Sequence, residues 1–298
     1  MPTPLSPREL FPAGHSEISQ RRVSLATGVT LRIAECGPRG GRAVVMLPGW
    51  GASLYTYRHA LELLPRRGLR IIAVDLRGHG LSDKPTVRGT YSVDAYCADV
   101  DALLDVLELD RATLVGHSMG GAISLQYALR RPNRVDGVVL INPADLAPLR
   151  VLPLARAMPR LVVRGLGRRL VPRFVVGWIL RHIAYGKTAM VAERDVDEYW
   201  APTQLPGFME AVRAMLSEFD WRPLTDRAAA SLAVPSVVIL GDSDRLIHNT
   251  ARAVKRLPGT QLEVLDGGHC VHEERPNEVY RLIADFVGLR GLTDRERR

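Results

Sequence analysis

The chain has 298 residues, 46% of them hydrophobic and 24% charged, and its net charge of +8 comes from arginine because lysine occurs only at 84, 187 and 255. This composition is ordinary for a soluble globular protein. Residues 1–20 predict no secretory signal, and no apolar run reaches the roughly 18 residues of a membrane-spanning helix. Basic residues are not interleaved with aromatic ones, so the sequence predicts no nucleic-acid partner.

The three cysteines, Cys36, Cys97 and Cys270, are widely spaced and odd in number. This pattern predicts free thiols in a reducing compartment, and therefore a cytoplasmic location. No metal-ligand spacing is present, and the sequence implies no metal and no organic cofactor.

Strand and helix signals alternate along the first part of the chain. Residues 1–18 contain four prolines and are predicted to form a loose arm. The elements predicted next are a hairpin over 23–33, a buried strand at 43–47, a helix ending near Pro65, a buried strand at 71–75 and a helix over 91–109.

Residues Thr113–Gly121 predict a strand, a sharp turn and a helix, with Ser118 at the turn. The strand end Thr113-Leu114-Val115 enters Gly-His-Ser-Met-Gly, and a helical pattern begins at Ala122. A serine in this geometry is held out of the strand end in a strained backbone conformation. Gly116 and Gly120 have a steric reason, because a side chain at either would collide across so tight a turn.

A strand over 135–141 follows, and then the alternation breaks. Residues 146–227 are irregularly helical and contain seven prolines, after which the chain resumes with a strand at 234–241, a helix at 249–257, a strand at 261–265 and a helix at 276–287. We therefore predict an α/β fold with a doubly wound, mostly parallel sheet. Its core domain takes residues 1–145 and 228–298, and 146–227 form a helical cap inserted at the carboxyl edge of the sheet, where ligands bind.

A serine hydroxyl needs a general base, and the base needs an acid to orient it. His269 follows the last predicted strand after two glycines and is the leading candidate for the base, with His272 as its rival. His117 precedes the serine and points away from it. Three carboxylates follow strand ends and are candidates for the acid, namely Asp242, Asp244 and Asp145; spacing alone does not choose among them.

An oxyanion formed during acyl transfer needs two preorganised donors. The Met119 N–H is one candidate, because it follows the serine at the start of a helix. The Trp50 N–H is the other, since Gly49 and Gly51 leave that backbone uncovered in the loop after the 43–47 strand.

From about residue 20 to 290 the chain resembles the α/β-hydrolase fold superfamily, in its cap-bearing, serine-nucleophile form. The resemblance lies in Gly-His-Ser-Met-Gly-Gly, Asp75-x-Arg77-Gly78-x-Gly80-x-Ser82, Gly241-x-x-Asp244, and Gly268-His269 with Glu274-Arg275-Pro276 behind it. It implies that Asp244 is the acid. One departure is Pro48-Gly49 where the family usually has His-Gly, so the loop must be braced by other bonds.

The resemblance does not identify the substrate. Epoxide hydrolases and haloalkane dehalogenases of this fold use an aspartate at the turn, so Ser118 argues against both. We expect cleavage of carboxylic esters with small or medium apolar acyl groups. The alternatives are C–C bond, thioester or amide cleavage, a cofactor-free perhydrolase or acyltransferase, and a non-catalytic small-molecule receptor; His117 stands where C–C hydrolases typically carry Asn.

The first half of the cap is apolar and rich in arginine. Its arginines are Arg150, Arg156, Arg160, Arg164, Arg168, Arg169, Arg173 and Arg181. This composition predicts an apolar acyl pocket under a basic lid that associates weakly with an anionic membrane surface. The alternative interpretation is a solvated polar face on a helical cap.

Overall fold

The computed structural model describes residues 3–148, 171–187, 189–247 and 250–295. These residues form one eight-stranded sheet with helices on both faces. The strands are β1 (Ser19–Ser24), β2 (Thr30–Cys36), β3 (Arg42–Leu47), β4 (Leu69–Asp75), β5 (Ala112–His117), β6 (Val135–Ile141), β7 (Ser236–Gly241) and β8 (Gln261–Leu265). The described α-helices are α1 (Arg58–Leu63), α2 (Val93–Val106), α3 (Met119–Arg130), α4 (Arg173–Ile179), α5 (Glu193–Trp200), α6 (Phe208–Glu218), α7 (Asp226–Ala230), α8 (Thr250–Val254), α9 (Val271–Glu274) and α10 (Pro276–Arg295).

The strand order is β1-β2-β4-β3-β5-β6-β7-β8. The pairs β1–β2 and β2–β4 are antiparallel and the other five pairs are parallel, which confirms the predicted doubly wound, mostly parallel sheet. The chain winds outward from β3 to β4 and then crosses back to β5 on the other side. In such sheets a ligand crevice opens at the carboxyl ends of the strands where the winding reverses, which here are β3 and β5.

The central strands are buried on both faces, as their continuous apolar runs predict. In β3, Val45 and Leu47 face a core that also contains residues of α2 and α3. Val44 and Met46 face the opposite core, which contains residues of α1 and α10. This double burial makes the ends of β3 and β5 rigid platforms for the loops that follow them.

The prediction of a loose N-terminal arm is wrong. Leu10 and Phe11 are buried, and the Phe11 carbonyl accepts a hydrogen bond of 2.6 Å from the Arg32 side chain. The Phe11 N–H donates to the Glu198 carboxylate at 2.9 Å. The prolines predicted an irregular segment, but burial of these two apolar residues against β2 and α5 is favourable and orders it.

Helices occupy the described part of the chain between β6 and β7, and it contains no strand. One face of α4 packs on α5 through an apolar cluster that includes Val176, Leu180, Val196 and Trp200. The sequence predictions for Arg150 to Arg169 fall outside the described residues. None of the helices in the described ranges has the length and apolar character needed to cross a bilayer.

Candidate active site

Ser118 lies at the corner between β5 and α3 in a strained backbone conformation, with φ 52° and ψ −114°. Positive φ is costly for a residue with a side chain, so the surroundings must enforce it. The Ser118 N–H donates to the Ile141 carbonyl at 2.9 Å, and the Ser118 carbonyl accepts from Ala122 and Ala144 at 3.1 and 3.0 Å. These bonds hold the serine at the carboxyl end of β5.

The two glycines around the serine are required by close backbone approach, across the turn itself at Gly116 and against the end of β3 at Gly120. A Cβ at Gly116 would lie 2.2 Å from the Gly120 carbonyl oxygen, and one at Gly120 would lie 2.0 Å from the Leu47 carbonyl oxygen. Real Cβ atoms do not approach backbone atoms so closely, so α3 can cross over the ends of β3 and β5 because these positions lack side chains.

His269 and Asp244 are brought together from the loops after β8 and β7. The His269 Nδ1 lies 2.8 Å from Asp244 Oδ2. A carboxylate only accepts, so Nδ1 carries the proton and Nε2 is the nitrogen that can take up another. The other Asp244 oxygen accepts from the N–H groups of Leu246 and Ile247 at 2.7 and 3.2 Å.

Burial by itself would raise the pKa of the Asp244 carboxyl. The positive charge and hydrogen bond of His269, together with the two backbone N–H donors, outweigh it and lower that pKa below its ordinary value. Asp244 is therefore ionised at neutral pH.

The other candidates from the sequence are placed elsewhere. Asp242 is exposed, and its Oδ1 accepts from the Gly267 N–H at 3.3 Å. Asp145 is buried, and neither of its carboxylate oxygens accepts a hydrogen bond of regular geometry from the described residues. His272 is fully buried, with its Nε2 2.8 Å from Thr56 Oγ1.

Three histidine rings cluster at this point, because His117 lies 4.7 Å from His269 and 4.6 Å from His272 between ring centroids. Burial, with the neighbouring charge of His269, lowers the pKa of His117 to about 3. Burial, together with the neighbouring groups His117 and Arg58, lowers the pKa of His272 well below its ordinary value. Both rings therefore stay neutral at neutral pH.

The backbone carbonyl of His269 is held by two side chains. His117 Nε2 and Asn142 Nδ2 each lie 2.9 Å from it and donate to it. Asn142 also donates to the Gly268 carbonyl at 3.1 Å and accepts from the Gly241 N–H at 3.2 Å. In the sequence Asn142 is distinguished only by its place directly after the strand that ends at residue 141, and in the structure it adopts φ 41°.

The two candidate oxyanion donors lie at the ends of neighbouring strands. Met119 begins α3, and Trp50 lies in the loop after β3, beside Gly51 with φ 75°. Among the described residues neither backbone N–H has a hydrogen-bond acceptor. The Trp50 indole donates to the Val212 carbonyl at 3.2 Å, which fixes the loop against α6.

Other bonds brace this loop where the family's usual histidine is missing. The Tyr57 hydroxyl donates to the Leu47 carbonyl at 2.8 Å, and the Leu54 N–H donates to Asp75 Oδ1 at 2.7 Å. Asp75 Oδ2 also accepts from the Leu81 N–H at 2.8 Å. The Asp75–Ser82 motif therefore joins the loops after β3 and β4, and Gly80 is needed because its Cβ would lie 2.0 Å from Asp75.

A buried polar cluster behind His272 connects the core to the helices that precede β7. Glu273 accepts hydrogen bonds from Thr56, Tyr185 and Tyr199 at 2.8, 2.9 and 2.5 Å, and it pairs with Arg58. No local sequence pattern predicts this cluster, because its members come from four separate stretches of the chain. Among the described residues no group of His, Cys, Asp and Glu is arranged to hold a metal ion.

A serine on a sharp turn lies where the winding of a parallel sheet reverses, and a carboxylate–histidine pair lies beside it. This combination defines a hydrolase of the α/β type. The profile of the α/β hydrolase fold matches residues 42–276, and the chain belongs to this family.

Individual relatives include uncharacterized proteins, a magnesium-chelatase subunit of Rhodobacter capsulatus and hydrolases of several kinds. The chain is 31% identical over 273 residues to an uncharacterized protein of Mycobacterium tuberculosis, covering 86% of this chain and 77% of that one. It is 29% identical over 277 residues to the 2-hydroxy-6-oxo-2,4-heptadienoate hydrolase of Pseudomonas putida, covering 89% and 95%. The crystal structure of a carboxylesterase from Bacillus subtilis superposes with a TM-score of 0.77 at 22% identity, covering 94% of each chain.

Proposed function

We propose that this protein is a serine hydrolase that cleaves carboxylic esters of small or medium apolar acyl groups. The observation that carries the proposal is the hydrogen bond from His269 to Asp244, which leaves His269 Nε2 able to accept a proton in the loop that contacts the Ser118 turn. A serine becomes a useful nucleophile when a base oriented in this way takes its proton.

In the proposed reaction, Ser118 Oγ attacks the acyl carbon while its proton passes to His269 Nε2. His269 gives that proton to the leaving alcohol as the C–O bond breaks, and the acyl group remains on Ser118. A water then loses a proton to His269 and attacks the acyl carbon, which releases the acid and restores the serine. Asp244 stabilises the imidazolium, and the N–H groups of Trp50 and Met119 stabilise the oxyanion.

The helices between β6 and β7 support a cap over residues 146–227, on a core of 1–145 and 228–298. The contact of Trp50 with Val212 brings the largely apolar helix α6 against the loop that carries the proposed oxyanion donor. This neighbourhood supports an apolar acyl group. The unpaired Cys36, Cys97 and Cys270 support a reducing, cytoplasmic setting.

The test is intact-mass measurement after fluorophosphonate labelling, combined with turnover of a series of esters of increasing acyl length. We expect one label on the wild-type protein, none on Ser118→Ala, and a loss of ester turnover of roughly 1,000-fold or more in that variant. Retention of turnover by a folded Ser118→Ala protein would refute the proposal.

A C–C bond hydrolase is the second candidate, favoured by the Pseudomonas putida relative. His117 weakens it, because that branch typically carries Asn at this position. Wild-type protein that is labelled at Ser118, turns over no ester of the series and consumes 2-hydroxy-6-oxo-2,4-heptadienoate would favour this candidate over the esterase.

We also propose a weak association with an anionic lipid surface. Helix α4 exposes Phe174, Trp178 and Ile179, which are 74%, 53% and 40% accessible. Phe174 and Trp178 are four residues apart and share one face of the helix. The sequence from Leu146 to Ala192 contains eight arginines and one lysine but no acidic residue. Arg173 and Arg181 pair with Glu193, which limits the local positive charge.

Co-sedimentation with phosphatidylcholine vesicles, with and without phosphatidylglycerol, tests this association. We expect binding to the anionic vesicles that weakens with salt and is reduced in the Phe174→Ser/Trp178→Ser variant. The matched control is Val87→Ser/Val106→Ser, which removes exposed apolar side chains from other elements. Equal partitioning to neutral and anionic vesicles would contradict the proposal.

A further inference from the structure

The loop that carries Asp244 and the loop that carries His269 both contact a third segment of the chain. This segment is the π-helical turn Leu180–Ala184, which continues α4, together with Tyr185 and Gly186. We call residues 180–186 the docking turn. π-Helical turns are rare and recur at functional sites.

The docking turn touches both loops through its carbonyl groups. The Cys270 N–H, next in the chain to His269, donates to the Ala184 carbonyl at 3.1 Å. The Arg245 guanidinium, next in the chain to Asp244, donates to the His182 carbonyl. The last carbonyl groups of a helix lack partners within it, and here the two loops supply them.

The Glu274 carboxylate joins the docking turn to the loop that carries His269 through two hydrogen bonds, which together we call the clip. Glu274 Oε1 accepts from the Gly268 N–H at 2.9 Å, and Oε2 accepts from the Gly186 N–H at 2.8 Å. The docking turn and the loop that carries His269 are also in direct backbone contact, because a Cβ at Gly268 would lie 2.5 Å from the Gly186 nitrogen. A Cβ at Gly186 would lie 2.9 Å from Glu274 Oε2.

We propose that Glu274 is a positioning residue that couples the placement of the docking turn to the alignment of His269. The inference rests on the proposed function, because it assigns His269 the role of general base. Glu274 has no part in proton transfer. Its two hydrogen bonds fix the backbone directly before His269 against the end of the helix that begins at Arg173, so a displacement of that helix is transmitted to the imidazole.

Loss of the clip should reduce kcat more than it changes KM. A displacement of about 1 Å at a catalytic group costs on the order of 100-fold in rate. Glutamine at position 274 keeps one acceptor oxygen and turns an amide N–H₂ toward the second donor, so one of the two bonds is lost. We expect kcat to fall roughly 10-fold in Glu274→Gln and roughly 100-fold in Glu274→Ala.

The clip can also be broken from its other side. Gly186→Ala, 83 positions before His269 in the chain, introduces a Cβ 2.9 Å from Glu274 Oε2 and 3.0 Å from the Gly268 nitrogen. It should reproduce the effect of Glu274→Gln. Because both substitutions act on the contact between the docking turn and the backbone directly before His269, the loss in the double variant should be smaller than the product of the two single losses.

The experiment measures the rate of fluorophosphonate labelling and the kcat and KM for an ester in wild type, Glu274→Gln, Gly186→Ala and the double variant. Glu278→Gln, an exposed carboxylate one helical turn further on, is the matched control and should equal wild type. Near-ultraviolet circular dichroism and the melting temperature establish that each variant is folded.

Slower labelling with a non-additive double variant supports the proposal. Folded single variants that label and turn over at the wild-type rate, or a double variant whose loss is the product of the single losses, would overturn it. Failure of the proposed function looks different, because the wild-type protein itself would then not be labelled at Ser118.

Discussion

Asp145 and Asp244 follow the ends of two neighbouring strands, β6 and β7, yet their surroundings are opposite. Asp244 accepts from His269 and from two backbone N–H groups, and these interactions hold its pKa below the ordinary value. Asp145 is as deeply buried, but neither of its carboxylate oxygens accepts a hydrogen bond of regular geometry from the described residues. Burial raises the pKa of its carboxyl to about 7, against weaker opposition from its own backbone amide, Arg256 and Gln126.

The comparison shows that a strand-end position does not by itself make a carboxylate part of a catalytic pair. A buried carboxyl stays ionised when donors replace the water it has lost, and otherwise it retains its proton. Only the ionised form can stabilise an imidazolium beside it.

The largest expected effect comes from removing the charge of Asp244. Asp244→Asn keeps the shape of the side chain but supplies no anion for the Nδ1–H of His269, so we expect kcat for an ester to fall roughly 1,000- to 10,000-fold. Asp242→Asn and Asp145→Asn should each stay within about threefold of wild type, because neither side chain contacts His269. A damaging Asp242→Asn with an active Asp244→Asn would reverse the assignment.

A second prediction concerns stability and pH at Asp145. Its pKa in the folded protein is near 7, above the value of about 4 for an unfolded aspartate. The unfolded state therefore loses its proton first as pH rises, and the free energy of unfolding falls between about pH 4 and pH 7. Asp145→Asn removes this loss and should be more stable than wild type at about pH 8, by up to roughly 4 kcal/mol.

Urea unfolding of the two proteins at a series of pH values measures this difference. The two curves should converge near about pH 3, where both side chains are neutral in both states. Asp94→Asn, at an exposed carboxylate of α2, serves as the control and should run parallel to wild type. A wild-type stability that rises steadily through this range, with no gain in Asp145→Asn, would show that Asp145 is ionised in the folded protein.

The smallest expected effect is at Asn142, which joins the two strand ends. Asn142→Ala removes one of the two donors to the His269 carbonyl, while His117 keeps the other. We expect kcat to fall about 10-fold with little change in KM, and the free energy of unfolding to fall by about 1–3 kcal/mol. Asn133→Ala, at an exposed turn, is the control; an equal loss of kcat there would remove the argument for positioning by Asn142.

Several features of this protein were determined by its local sequence. The alternation of apolar runs with helical stripes predicted the parallel sheet, because burial on both faces demands such runs. The turn around Ser118 is predicted with part of its reason, because Gly116 avoids the Gly120 carbonyl four residues away, whereas Gly120 avoids the Leu47 carbonyl at the end of β3. The departure at Pro48 likewise predicted that the loop after β3 needs other braces, and Tyr57 and Asp75 provide them.

What the local sequence left open depends on contacts between residues far apart in the chain. Spacing alone does not decide which of three carboxylates is the acid that orients the base. The fold brings Asp244 into contact with His269, 25 residues further along the chain. Asn142 is distinguished only by its place after β6, and the Glu274-Arg275-Pro276 motif does not reveal what Glu274 contacts, because their partners include His269 and Gly186, far away in the chain. The ionisation of Asp145 and Asp244 was decided by the tertiary structure alone, since the donors that replace water around a buried carboxylate come from whichever segments pack against it.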